Sequence, residues 1–431
     1  RKAPEIAIHM YEKLPTPFGL LRGGVAPDHQ KMKSVSSAYD RIASSEQFSF
    51  FGNVTIGEDI TVEQLNEAYD ALIFACGANC DKSLGLKGEA LPGSYSATDF
   101  VGWYNAHPEF IEKDFELDSK KVAIVGQGNV AVDVMRVLAK TKSELQETDI
   151  SIKALERLEH TAIEHIYMIG RRGPVQAAFT DLELKGLQEL EAADLYVNEA
   201  FLNLSEADLQ ELEASNKAKK NMEILKQCTK KPSGNKPILE LMFFRSPVEI
   251  LGEESVSGLK LEKNTLTGES GAQKAKASGE YESLDVGLIF KSIGYKARPI
   301  PGVPFDDKRG VIPNEQGRVM NAGAPVQGMY VTGWIKRGPS GVIGTNRKDS
   351  FETVDALLED LQANTVENTK TPQMCLAFLE QKEHRLVSYE EWRKLDEEEK
   401  RQGDVLGKVR KKFDSVDEMI QYLDDQVIVK G

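Results

Sequence analysis

Short apolar runs recur along the chain and alternate with stretches whose apolar residues follow helical spacing. Ile6 to Tyr11, Phe48 to Val54, Ala71 to Gly77, Val122 to Val125 and Ile166 to Ile169 read as buried strands. Met32 to Ala43, Thr61 to Tyr69, Asn129 to Ala139 and Ala177 to Leu190 read as helices, the second with Glu63 and Gln64 in its capped first turn. Strands alternating with helices predict an α/β fold with a parallel sheet wound on both faces. Further on, the charged stretch Lys142 to Glu164 predicts a solvent-facing helical insertion, and strands fall near Leu259, Tyr281 and Leu288. Tyr330 to Thr332 leads through a glycine-rich turn into a long helix, Val342 to Leu361, whose start aims backbone N–H groups outward. Ser388 to Tyr422 predicts charged helices without evident chemistry, and Pro15 to His29 predicts a long irregular loop of the kind that carries function.

One strand, turn and helix carry the strongest chemical signal. Val122 to Val125 runs into Gly126-Gln-Gly128-Asn-Val-Ala131, where glycines let the backbone approach a pyrophosphate lying on the helix N-terminus. A site for NAD would place an acid on the ribose about 20 residues onward. Here the strand Ile166 to Ile169 ends instead in Gly170-Arg-Arg172, two guanidiniums suited to a 2′-phosphate. The signature therefore predicts an NADP site.

Glu12, closing the first apolar strand, is the carboxylate type that grips a ribose at the end of a second strand. The eleven residues before it leave no room for a preceding strand and glycine turn, so the sequence predicts a chain lacking its first βα unit. On that expectation a remnant that binds NADP but cannot complete a second dinucleotide site is one alternative function.

Composition narrows the rest. A chain of 431 residues with 40% hydrophobic content supports two or three domains, and its 54 basic against 68 acidic residues give −14. That balance argues against general affinity for nucleic acid or anionic membranes, and no apolar run approaches the roughly 20 residues of a membrane span. Cys76, Cys80, Cys228 and Cys375 are scattered, as suits a reducing compartment, and Cys76 and Cys80 lack the two-residue spacing of a redox pair. A second alternative, an enzyme like the pyridine-nucleotide disulfide reductases, would need such a pair. The lysines 217, 219, 220, 226, 230, 231 and 236 form the long basic run of this acidic chain, either a solvated face or a docking patch for an acidic protein.

Several motifs in order carry a family resemblance. Pro17-Phe-Gly-Leu20 with Gly24-Val-Ala-Pro-Asp-His29, Gly126-Gln-Gly-Asn-Val-Ala131, Gly170-Arg-Arg-Gly-Pro174 with Ala178-Phe-Thr180, Phe243-Phe-Arg-Ser-Pro247, and Gly333-Trp through Val342-Ile343 resemble adrenodoxin reductase and its bacterial relatives, the adrenodoxin-reductase-type ferredoxin–NADP⁺ reductases. The similarity runs from Tyr11-Glu-Lys13 to Trp392-Arg-Lys-Leu-Asp396.

The resemblance implies two interleaved Rossmann-like dinucleotide domains, an FAD domain in two segments (1–103 and 331–431) and an inserted NADP domain (104–330). It implies that electrons pass from NADPH through FAD to a one-electron iron–sulfur carrier. By position, Glu12, Leu20, Ile56, Trp334, Gly341, Val342 and Ile343 would hold FAD; Gln127, Gly128, Asn129, Val130, Arg171, Arg172, Glu183 and Gly341 would hold NADP. His29 and Glu183 would orient the nicotinamide as a hydrogen-bonded pair, with no side chain an obligatory acid or base. Arg245 and the run Lys217 to Lys231 would dock the ferredoxin, although Met242 stands where some members of the family have a basic residue. The Val25-to-Ser34 pattern leans toward bacterial members and a cytoplasmic location, with the mitochondrial matrix as the alternative.

Overall fold

A computed structural model describes residues 6–341, 343–363 and 370–428. The first strands are β1 (Ile8–Glu12), β2 (Phe48–Gly52), β3 (Leu72–Phe74), β4 (Cys80–Asp81), β5 (Ser94–Ser96), β6 (Lys121–Val125), β7 (His165–Ile169) and β8 (Asp194–Val197). They are followed by β9 (Ile238–Met242), β10 (Arg245–Leu251), β11 (Gly258–Thr267), β12 (Lys274–Leu284), β13 (Leu288–Lys291), β14 (Tyr295–Lys296), β15 (Asn314–Glu315), β16 (Arg318–Asn321) and β17 (Ala324–Val331).

Strand pairing divides the chain into two units. A six-stranded sheet in the order β5-β13-β6-β7-β9-β8 is parallel throughout, and its strands are near-continuous apolar runs because both faces are covered. The other unit contains the parallel pair β1-β2 and the sheet β15-β16-β17-β3. Its core joins Val54, Leu65, Phe74, Val319 and Ile335. The chain crosses between the units twice, and the crossing segments β4 and β14 pair antiparallel. Strand β5 pairs with β13 in the six-stranded sheet, whereas β17 pairs with β3. A three-stranded antiparallel sheet, β10-β11-β12, packs beside the six-stranded one through Ile250, Leu259 and Leu261.

Local chemistry explains most element ends. The helix Asn129–Ala139 buries Ala131, Val132, Val134, Met135, Val137 and Leu138. Thr61 and Gln64 close a reciprocal capping box on Val62–Ala68, and Ser388 with Glu391 does the same for Tyr389–Val405. Three helical expectations change. Met32 to Ala43 is two helices, Gln30–Lys33 and Ser36–Ala43, and the helix expected from Ala177 starts at Asp181. The stretch Lys142 to Glu164 is not solvent-facing. Its helices Lys142–Leu145 and Ile152–Glu159 bury Leu145, Ala154, Leu155 and Leu158 against the larger core, as the segment between them buries Ile150.

Buried ion pairs lock the C-terminal helices onto both units. Asp149, nearly inaccessible, takes Lys33 Nζ at 2.7 Å and Lys412 Nζ at 3.0 Å, and Lys412 also donates to the carbonyl oxygens of Arg22 and Asn105. Burial pushes the Lys412 ammonium down to about 7, with Asp149 pulling the other way. Close by, the buried Glu399 carboxylate accepts from Arg22 and Arg410. Replacing Asp149 by Asn removes the carboxylate that holds both lysines, and Lys412 loses the charge that opposes its burial. We expect a loss of about 3–5 kcal/mol, read as a lower urea midpoint, and a shift under about 1 kcal/mol would show that the pairs do not hold this junction.

Candidate functional site

The glycine turn is held from several sides. Gly126 has φ +129°, and a Cβ there would lie 2.0 Å from the Ser292 carbonyl oxygen, so only glycine fits. Gly126 N–H donates to Ile169 O at 2.9 Å. The Gln127 carbonyl accepts from Ala178 and Phe179 N–H, both at 3.0 Å, while its side-chain Nε2 donates to Met242 O at 3.1 Å. Gly170 leaves room for that side chain, since a Cβ would sit 1.8 Å from Gln127 Oε1. Asn129 Oδ1 accepts from Thr180 N–H at 2.9 Å. The turn, the end of β7 and the segment 177–180 are thus one pinned unit, with Gly128 as the helix cap and half-buried Val130 packed on the core.

Arg171 and Arg172 leave this unit exposed. Their backbone carbonyls are tied, to Asn264 Nδ2 at 2.9 Å and Phe244 N–H at 3.0 Å, while Arg172 Nη2 reaches only Gln176 O at 3.3 Å. Among the described residues neither guanidinium has an ion pair, which leaves both for an anionic ligand.

The structure brings His29 and Glu183 together, Nε2 to Oε2 at 3.2 Å, over a cavity of about 310 Å³ lined also by Asp28, Arg136, Lys140 and Glu189. Sequence reasoning missed the group at the centre. Arg136 is buried and donates to Asp28 (2.8 Å), Glu183 (3.0 Å) and Asp133 (2.5 Å). The signal was present. Asp133 and Arg136 sit three apart on the helix after the glycine turn, on a stretch otherwise apolar, and Asp28 precedes His29. Asp133, Glu183 and His29 could by composition bind a metal, but the guanidinium already stands among them. Lys140 also reaches Asp28, at 2.9 Å. Three carboxylates thus face two cations, and the remaining negative charge favours an imidazolium on His29 over a neutral ring accepting from Arg136 at 2.5 Å. Hydrogen bonds to Asp133 and then Glu183 push His29 up to about 9 against burial and Arg136. Burial tends to raise Glu183, but His29 and Arg136 outweigh it and hold the carboxyl low.

On the other side, Glu12 ends β1 in a buried setting where its carboxylate accepts from Leu14 N–H at 3.3 Å, and burial raises its affinity for a proton. Leu20 is exposed, and Ile56 is half-buried against the smaller core. Trp334 stacks on Tyr295 with ring centroids 5.7 Å apart, and its buried Nε1 has no partner among the described residues. A four-residue helix, Trp334–Arg337, stands between the glycine-rich turn and the long helix Ile343–Gln362, where a direct run into the long helix was expected. Lys336 pins it, with Asp349 at 2.9 Å and Glu352 at 2.6 Å. Gly341 has φ +82°; Val342 lies outside the described residues, and the Ile343 backbone opens the long helix. A half-buried carboxylate at a strand end and a buried indole N–H without an acceptor among the described residues fit a polyhydroxylated, ring-bearing cofactor such as FAD. All four cysteines are free.

Fold and site together define a two-unit α/β protein built around a dinucleotide turn. No family model matches the chain. It is 42% identical over 421 residues to the NADPH-ferredoxin reductase FprA of Mycobacterium leprae, covering 96% of this chain and 91% of that protein. It is 40% identical over 437 residues to the human mitochondrial NADPH:adrenodoxin oxidoreductase, covering 98% and 88%. The solved structure of Mycobacterium tuberculosis FprA in complex with NADPH superposes with a TM-score of 0.91 at 40% identity, over 96% of this chain and 92% of that one. The chain belongs to the family of NADPH–ferredoxin and NADPH:adrenodoxin reductases.

The His29 cluster has a titration consequence. A folded value near 9, above the ordinary 6.5, contributes stability that is fully present below pH 6.5 and is lost as pH rises through about 9. A ¹H–¹⁵N titration of His29 should find its midpoint near 9, and Asp133→Asn should lower it. A midpoint at or below 6.5 would mean that Arg136, not the carboxylates, controls the ring.

Proposed function

We propose that the chain is a flavoprotein oxidoreductase that takes electrons from NADPH, passes them through FAD, and delivers them singly to a ferredoxin- or adrenodoxin-type iron–sulfur protein. The observation that carries this reading is the pinned glycine turn flanked by Arg171 and Arg172, both free of ion pairs among the described residues, in a member of this family. FAD, when bound, supplies the conversion between a two-electron donor and a one-electron acceptor.

The side chains then have positioning work, because cofactor-to-cofactor transfer depends on alignment more than on an acid or base. Backbone N–H groups of Gln127 to Val130 hold the NADPH pyrophosphate. Arg171 and Arg172 grip the 2′-phosphate. Glu183 and Gly341 meet the nicotinamide end, with His29 keeping the Glu183 carboxylate ionised and fixed. Glu12 takes the FAD ribose, Leu20 and Ile56 line that site, and Trp334 with the Gly341–Ile343 turn faces the flavin ring. In this reading FAD belongs to the unit of β1 to β3 and β15 to β17, and NADP to the six-stranded one.

The docking proposal needs revision from the expected residues. Arg245 is engaged by Glu282, donates to Phe244 O at 3.1 Å and lies over the Phe201 ring. Lys217 and Lys220 are also engaged, at Ala177 O and Asp181. Lys219, Lys226, Lys230 and Lys231 are exposed and offer the basic face for an acidic iron–sulfur partner. Among the described residues no helix is long and apolar enough to cross a membrane. The bacterial relatives support the cytoplasm as its location, and the mitochondrial ones support the matrix as the alternative.

Three measurements test this reading. Flavin-reconstituted protein should reduce a ferredoxin with NADPH, and Arg171→Ala with Arg172→Ala should raise KM for NADPH roughly 10- to 100-fold while leaving KM for NADH nearly unchanged. Equal losses with both nucleotides would remove the 2′-phosphate assignment. Reversing the charge of Lys226, Lys230 and Lys231 should raise KM for ferredoxin and flatten its salt dependence. An unchanged salt profile would move the docking face elsewhere.

A further inference from the structure

Lys217 stands in the first turn of the helix Asn216–Gln227, and its half-buried ammonium donates to Ala177 O at 2.7 Å. Arg172 Nη2 donates to Gln176 O at 3.3 Å. Two cationic heads are therefore held on consecutive peptide carbonyls, just after the Arg171–Arg172 pair. Neither has an ion-paired carboxylate among the described residues, in a chain where 68 acidic residues outnumber 54 basic ones. Other well-placed cations here do have one: Lys220 on the same helix reaches Asp181 at 3.1 Å, Lys33 reaches Asp149 at 2.7 Å and Lys336 reaches Asp349 at 2.9 Å.

The acid that acts on Lys217, Glu211, is drawn away. Its Oε2 accepts from Gln176 Nε2 at 3.0 Å and from Gly271 N–H at 3.3 Å. Gln176 Nε2 also reaches Asp208 at 2.9 Å and Gln273 at 3.0 Å, so a buried amide fixes the segment after the arginines against the helix Glu206–Ala214 that leads into Lys217. Burial and then the Arg172 charge pull the Lys217 pKa below its ordinary value. Like charges held together by neutral carbonyls repel, and an anion seated between them turns that repulsion into binding.

We propose that Lys217 is the third cation of the cofactor phosphate site, completing with Arg171 and Arg172 a cradle that selects a ribose bearing a 2′-phosphate. The proposal rests on the reading of the arginine pair as the NADP site. One of the three ammonium donors is spent on Ala177, leaving two for phosphate oxygens. Lys217 thereby belongs to cofactor recognition and not to the partner-docking run with which its sequence neighbours group it.

Calorimetric titration of the flavin-loaded protein with 2′,5′-ADP and with 5′-AMP tests this. Wild type should prefer 2′,5′-ADP. Lys217→Met, which keeps the aliphatic stem, should weaken 2′,5′-ADP about 5- to 10-fold and 5′-AMP less than about twofold, while Lys217→Arg should retain most of the preference. If Lys217→Met binds 2′,5′-ADP like wild type, the third cation is overturned and the arginine pair stands. If wild type fails to distinguish the two nucleotides, both readings fall. Equal weakening of both nucleotides in both variants would mark a structural lysine and overturn the proposal as well.

Discussion

A buried guanidinium must be surrounded by counter-charge, and Arg136 obtains it from three different segments. Asp133 comes from its own helix, Glu183 from the next helix, and Asp28 from the Gly- and Pro-rich loop of the other unit. Each carboxylate is costly to bury alone, as is the guanidinium, so the four hold their places only together. That requirement fixes an otherwise irregular loop against the nucleotide-binding unit. It also sets His29 beside Glu183, so the chemistry of the cleft follows from how one cation is neutralised.

The second junction uses the same physics with the signs reversed. At Asp149 an anion gathers lysines from the loop region and from the C-terminal segment, while Glu399 collects Arg22 and Arg410. Parallel sheets position the glycine turn and the arginine pair within one unit, but they do not fix how two units face each other. The crossing strands β4 and β14 are only two residues each, so the buried charges carry much of that task. Trp334 stacks on Tyr295 of the crossing strand β14.

Elements governed by local rules were legible in the sequence. The helix Asn129–Ala139 and the strands β6 and β7 follow from apolar period, and Thr61 from its cap. The glycine turn was legible because it rests on a short, local pattern, glycines between an apolar strand and a helix. What could not be read depended on distant partners. Charges in Lys142 to Glu164 suggested a solvated insertion, yet its apolar positions meet a core contributed from elsewhere. Arg136 looked like a routine helix residue because its partners Asp28 and Glu183 lie 108 and 47 residues away. The allegiance of β17 is hidden in the sequence for the same reason, since it shows only in the pairing with β3.

Charge excess also changes what an unpaired group means. In a chain with equal numbers of acids and bases, a cation without a partner is unremarkable, because surface pairs are worth little and often do not form. With carboxylates in surplus, a cation fixed by backbone bonds can find a partner more readily, and Lys220 and Lys336 do. Arg172 and Lys217 are held on backbone carbonyls, Arg171 stands exposed beside them, and none of the three has an ion pair among the described residues, while Gln176 withdraws Glu211. In the proposed reading, a negatively charged protein that binds the dianionic 2′-phosphate end of a dinucleotide needs such a local exception, since the overall field repels the ligand. There the phosphate would supply the charge that the neighbouring acids do not.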